Sequence, residues 1–248
     1  MQPTPWLVRK PGSVPRRMRL FCLSYAGGSA HAFAGWQDVL DPSIEVCAVQ
    51  LPGRGARFRE PPIGSMPVLI EELGGVVDRY GDLPFAFFGH SLGGLLAFEL
   101  ARHCRAAGIR QPIHLFASGA AAPQHRDAPE ERHKLPEPEF IAMLREYEGT
   151  PPELLEHQEL MNLVLPMLRA DFGMVDEYRY RPEPPLSMPM TVLAGAKDER
   201  VVGPQVDAWA EETTGTCQVS WFDGGHFFLQ SHRAEVLQLV RQTLLGYL

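Results

Sequence analysis

At 248 residues the chain has room for one α/β domain or two small ones, and its 45% hydrophobic and 21% charged residues suffice for a sizeable core. A disordered tail and a fibrous protein are thereby excluded. The 23 Lys and Arg against 30 Asp and Glu leave a formal net charge of −7, which removes whole-surface attraction to nucleic acid or anionic lipid.

The proline-rich stretch 1–15 is expected to lie as an extended arm against the surface, with no chemistry of its own. Arg16, Arg17 and Arg19 ahead of an apolar run imitate a signal peptide. That run is short, starts late and contains Gly27 and Gly28, so 19–24 reads as a buried strand instead. Short apolar runs at 44–51, 85–89, 113–118, 190–194 and 217–222 have the length and composition of further buried strands. Between them, 67–80, 92–107 and 232–245 carry helical periodicity, with Ser65 near the start of the first and Gly108 closing the second. The alternation predicts an α/β fold, a mostly parallel central sheet flanked by helices, in a single domain over 1–248.

The most apolar window, 83–101, contains His90 and Glu99, which a lipid-spanning helix would bury at a cost of kilocalories each. No membrane segment is expected. The stretch 122–188 breaks the rhythm with helical patterns at 137–148 and 153–180, clustered prolines and no strand, and reads as an insertion. Met143, Met161, Met167, Met174 and Met188 lie in it or at its edge; such side chains suit either an adaptable wall around an acyl chain or the plain packing of helices on the sheet. Cys22, Cys47, Cys104 and Cys217 stand far apart, with neither a CxxC pair nor zinc-type spacing, so a reducing compartment fits and no metal is expected.

Chemistry concentrates at Gly89-His90-Ser91-Leu92-Gly93, a GxSxG between an apolar strand and a helix. A serine at such a turn is held in a strained backbone that glycine neighbours permit, with its hydroxyl exposed at the positive end of the helix. A serine hydroxyl is a poor nucleophile near neutral pH, so a base and a group to orient that base are required. His226 follows the strand 217–222 in a glycine-containing loop at the carboxyl edge of the sheet, and is the expected base, with His31 as its rival. His90 is expected to point away from the elbow, packed and hydrogen-bonded. Of the others, His114 lies in a strand, while His103, His125, His133, His157 and His232 are expected on solvated or helix surfaces. Asp198, after the strand 190–194, is the expected orienting carboxylate, with Glu199 and Asp223 as rivals. The order Ser91, Asp198, His226 is the one this architecture requires. The oxyanion donors are expected to be the backbone N–H of Leu92 and, from the small-residue loop 25–30, that of Ala26.

Five stretches together resemble a known family, the type II thioesterases that accompany polyketide synthases and non-ribosomal peptide synthetases. They are Leu20-Phe21-Cys22-Leu23-Ser24-Tyr25-Ala26-Gly27-Gly28-Ser29-Ala30, Gln50-Leu51-Pro52-Gly53-Arg54-Gly55, Phe88-Gly89-His90-Ser91-Leu92-Gly93-Gly94, the run 195–201, and Gly224-Gly225-His226-Phe227-Phe228. The likeness spans nearly the whole chain; the family usually has proline where Ser24 stands. It implies an α/β-hydrolase fold with the insertion 122–188 as a helical lid. It also implies hydrolysis of stalled or aberrant acyl groups from the phosphopantetheine arm of acyl or peptidyl carrier proteins, through an acyl-enzyme on Ser91, with no metal or cofactor. A cytoplasmic monomer with a carrier-protein partner, and neither nucleic acid nor membrane, is expected.

Because carrier proteins are commonly acidic and this chain is too, docking would rely on local features such as Arg54, Arg57 and Arg59, or Arg16, Arg17 and Arg19; ordinary solvated surface is the other reading of both clusters. The triad itself does not distinguish a thioester from an oxygen ester. A general carboxylesterase or lipase therefore stays open, as does a non-catalytic binding member of the fold.

Overall fold

The computed structural model describes residues 4–125, 131–147 and 149–248. Its short apolar runs become the strands β1 (Leu7–Val8), β2 (Met18–Leu23), β3 (Ile44–Val49), β4 (Phe85–His90), β5 (His114–Ser118), β6 (Met190–Gly195) and β7 (Cys217–Phe222). They form one sheet in the order β1-β3-β2-β4-β5-β6-β7, parallel except where β1 pairs antiparallel with β3.

Alternation along each strand builds the two faces. In β4, Phe85 and Phe87 enter a cluster with Leu69, Leu73 and Val77 of α1 (Met66–Tyr80) and Leu96 of α2 (Leu92–Ala106). Their neighbours Ala86 and Phe88 enter the opposite cluster, which in the last helix holds Val236, Val240 and Leu244, four residues apart. Each fully buried Phe contributes about 1.5–3 kcal/mol. The short helix α6 (Gly203–Asp207) lies between β6 and β7, and α7 (Phe228–Ser231) and α8 (Arg233–Leu245) follow β7.

From β2 the chain steps outward to β3, then crosses back over β2 to β4. The loops leaving the carboxyl ends of β2 and β4 therefore part in opposite directions and leave a crevice between them.

The structure departs from the sequence reading in several places. The arm contains β1, a two-residue strand too short to show as a period; residues 1–3 of that arm lie outside the described residues. Its Trp6 ring lies under the Arg57 guanidinium, 3.9 Å from its carbon. The segment after β5 holds α3 (Glu137–Glu146), α4 (Pro152–Leu155) and α5 (Gln158–Asp176), with a hydrophobic cluster of its own around Phe140, Leu144, Met161, Leu168 and Phe172. The helix read at 153–180 is thus two, separated by an extended residue at His157. Beyond Asp176 the chain enters a proline-rich run that α2 holds in place, with Arg102 donating to Arg181 O at 2.6 Å and Arg105 to Pro184 O at 2.7 Å. Glu148, the end of the pattern 137–148, and residues 126–130 of the insertion lie outside the described residues.

Candidate active site

The bend after β4 holds its serine in a strained backbone. Ser91 adopts φ 57° and ψ −114°, the one non-glycine residue of positive φ among the described residues. Such a backbone costs about 1–3 kcal/mol. Gly89 and Gly93 make it possible: a Cβ on Gly89 would lie 1.9 Å from the carbonyl oxygen of Gly93, and one on Gly93 would lie 2.1 Å from that of Leu23 in β2. The Ser91 amide donates to Ser118 O at 2.8 Å, which pins the bend to β5.

Two further loops at the same sheet edge reach this hydroxyl. Nε2 of His226, from the loop after β7, stands 3.0 Å from Ser91 Oγ, and its Nδ1 stands 2.7 Å from Asp198 Oδ2, in the loop after β6. The other Asp198 oxygen accepts from the Arg200 amide at 2.9 Å, so both carboxylate oxygens are engaged. A carboxylate against Nδ1 holds the proton there and leaves the Nε2 lone pair facing the serine, the state in which an imidazole can take a hydroxyl proton.

The rivals stand elsewhere. His31 and Glu199 are exposed, and the exposed Asp223 pairs with Lys197 at 2.8 Å. His90 is fully buried, with Nδ1 2.9 Å from Ser118 Oγ. Burial, reinforced by the neighbouring His226, pushes its imidazole well below the ordinary histidine range. It stays neutral and packs edge-on against Tyr25, at 6.0 Å between ring centres.

The amides of Leu92 and Ala26 flank the same space, and neither meets a protein acceptor among the described residues. Leu92 opens α2, whose first-turn donors have no intrahelical partner. A carbonyl oxygen seated between the two amides would meet the kind of donor pair that stabilises a developing oxyanion.

Residues 18–244 match the model of the thioesterase domain family. The chain belongs to that family. It is 38% identical to the gramicidin S biosynthesis protein GrsT of Aneurinibacillus migulanus, over 96% of this chain and 93% of that one. It is similar in structure to the type II thioesterase BorB from the borrelidin biosynthetic cluster, at 36% identity and a TM-score of 0.88, with 98% of each chain covered. A protein of Brevibacillus parabrevis named linear gramicidin dehydrogenase LgrE is 40% identical over 100% of this chain and 95% of its own. In this thioesterase the loop where a dinucleotide fold would seat a pyrophosphate instead donates its Gly27 amide to the carboxylate of Asp171, at 2.7 Å.

The side chains of Ser91 and His226 line a pocket of roughly 1130 Å3, its open mouth included. Leu144, Leu168, Phe172, Val175 and Phe227 give it an apolar wall, while Arg132, Asp176 and Arg200 add charge. None of the five methionines of the insertion lines it. Met174 and Met188 are buried in a cluster on the sheet, as the packing reading has it, while Met161 and Met167 are buried in the insertion's own cluster. His133, expected at a solvated surface, has Nδ1 2.9 Å from Asp176 Oδ2, and Asp176 also accepts from Arg132 Nε at 2.7 Å.

Half of the six arginines in the two clusters are not surface. Arg19, Arg54 and Arg57 are 3%, 5% and 7% exposed, each tied to acidic side chains. Arg17 and Arg59 are exposed and Arg16 is half-buried, with Arg16 bonded to Lys10 O at 3.1 Å. Arg132, Tyr147 and Asp176 were not legible as pocket residues. The available signal for the last was an acidic residue inside the apolar pattern of α5, as for Asp171.

Proposed function

We propose that this thioesterase hydrolyses acyl groups, aberrant or stalled, from the phosphopantetheine arm of acyl or peptidyl carrier proteins. The observation that carries the reading is the hydrogen-bonded line from Ser91 through His226 to Asp198 at the mouth of an apolar pocket, in a chain of this family. Ser91 Oγ attacks the thioester carbonyl as His226 Nε2 takes its proton, and the oxyanion accepts hydrogen bonds from the Ala26 and Leu92 amides. The tetrahedral carbon expels the pantetheine thiolate, which receives that proton from His226. Water enters, His226 removes its proton, and a second collapse returns Ser91 and frees the carboxylic acid. Asp198 holds the imidazole in the required tautomer and stabilises the imidazolium.

The long apolar wall suits an acyl chain, and the helical segment 122–188 would serve as the lid over it. The relatives' names, gramicidin and borrelidin biosynthesis among them, support a carrier-protein partner of a peptide or polyketide assembly line. The reaction so written draws on no metal or cofactor, and the proposal is of a cytoplasmic monomer. The test is release of a short acyl group from a loaded carrier protein. Wild type should release it and Ser91→Ala should not; equal slow release by both would end the proposal. A strong preference for an alkyl ester over the matching pantetheine thioester would turn the reading toward a general carboxylesterase.

A further inference from the structure

The Ala26 amide can serve as an oxyanion donor only if its peptide plane is fixed. That plane also carries the Tyr25 carbonyl, which accepts from the Gly28 amide at 2.9 Å and closes a four-residue turn over 25–28. In a trans peptide the C=O and N–H point in opposite directions, so securing Tyr25 O aims Ala26 N–H the other way. Gly27 takes φ +78°, the left-handed conformation that the third residue of a type II turn demands.

Two buried charges hold this turn from behind. Asp171 Oδ2 accepts from the Gly27 amide at 2.7 Å, and Arg54 Nη1 donates to Gly28 O at 3.2 Å. The two side chains are themselves joined in a bidentate pair, Nη1 to Oδ2 at 2.6 Å and Nη2 to Oδ1 at 2.7 Å, with Asp171 fully buried. Arg54 comes from the loop after β3 and Asp171 from α5, one helical turn beyond Leu168, whose Cδ2 would touch a Cβ placed on Gly27 at 2.6 Å. Arg54 Nε also donates to Pro52 O at 3.3 Å, so the bonds of the pair run to each other and to loop backbone.

We propose that Arg54 and Asp171 are positioning residues, which clamp the Tyr25–Gly28 turn so that the Ala26 amide faces the tetrahedral oxyanion. This rests on the thioesterase reading of Ser91 and His226. Because Asp171 rides on α5, the donor is aimed while that helix sits on the loop.

The experiment compares wild type with Arg54→Met/Asp171→Leu, which removes both charges at similar volume so that neither is left buried alone, and with Arg54→Met/Asp171→Asn, which restores an acceptor for Gly27. Two readouts are taken on each: the rate of Ser91 labelling by a fluorophosphonate, whose phosphoryl oxygen uses the same donors, and kcat and KM for an acyl pantetheine thioester. The first double variant should lose roughly 10- to 100-fold in both labelling rate and kcat, with KM within about threefold, since a misaimed donor approaches the loss of one. The second should recover most of that loss. A folded first variant that labels and turns over like wild type overturns the positioning role, as does a rise in KM at constant kcat. Should neither variant fold, Asp171→Glu is read instead, which keeps the charge beside Arg54 but displaces the acceptor from the Gly27 amide; it should lose labelling rate and kcat together at constant KM, and a folded Asp171→Glu that labels and turns over like wild type overturns the positioning role. Failure of wild type to label would instead strike the triad reading itself.

Discussion

Replacing Ser91 by glycine and by alanine separates strain from chemistry at one atom. Both variants lose the nucleophile and the 3.0 Å contact to His226 Nε2, which is worth about 0.5–1.5 kcal/mol. Only glycine relieves φ 57°, ψ −114°, a conformation costing about 1–3 kcal/mol for a residue with a Cβ. Glycine in turn gives the unfolded chain more freedom, a loss of about 0.4–1 kcal/mol against alanine. The difference leaves Ser91→Gly about 1 kcal/mol more stable than Ser91→Ala, or about 2–4 °C in Tm for a chain of this size. Urea titration and thermal melting of the two variants side by side measure it, with absence of fluorophosphonate labelling as the check that both lack the nucleophile. Alanine equal to or more stable than glycine would refute the claim that the elbow stores strain.

Asp198→Asn keeps the shape of the contact at 2.7 Å but favours the wrong imidazole tautomer, so kcat for thioester hydrolysis should fall about 10^4-fold with little change in melting temperature. Gly93→Ala drives a Cβ to 2.1 Å from the backbone oxygen of Leu23 in a central strand and should cost about 3 kcal/mol or more in urea titration. Gly75→Ala, on the exposed face of α1, meets nothing within 4 Å and should stabilise by about 0.5–1 kcal/mol in the same assay. Burial pushes the His114 imidazole down to about 4. Between that value and its ordinary 6.5 the unfolded chain binds a proton that the folded one refuses, so stability falls as pH drops through this window, by up to about 3 kcal/mol. His114→Gln should flatten the lower part of the stability profile measured between pH 7 and 4, leaving the part due to His90, which shifts in the same direction.

The residues around the elbow were readable because the constraint at the turn is largely local. A tight strand-to-helix turn demands small residues at fixed offsets. Gly89, whose Cβ would meet Gly93, reports that demand within the turn, while Gly93 additionally makes room for Leu23 of β2. Asp198 and His226 were reached through chain order, since successive strands deliver their loops to one edge. Arg54 and Asp171 were not. A charged residue read from sequence is assigned to solvent by default, and only a partner 117 residues away makes its burial tolerable. The methionines of the insertion illustrate the same gap: a buried thioether looks alike whether it faces another helix or a pocket.

Composition and periodicity determined the parallel sheet, the helices on its two faces and the interrupted stretch 122–188, because burying apolar surface at periods of 2 and 3.6 depends on neighbours along the chain. Tertiary structure decided which buried charges pair, which side chains line the pocket and that Leu7–Val8 caps the sheet edge. Each of those outcomes depends on distances between segments far apart in sequence, a quantity that no local pattern encodes.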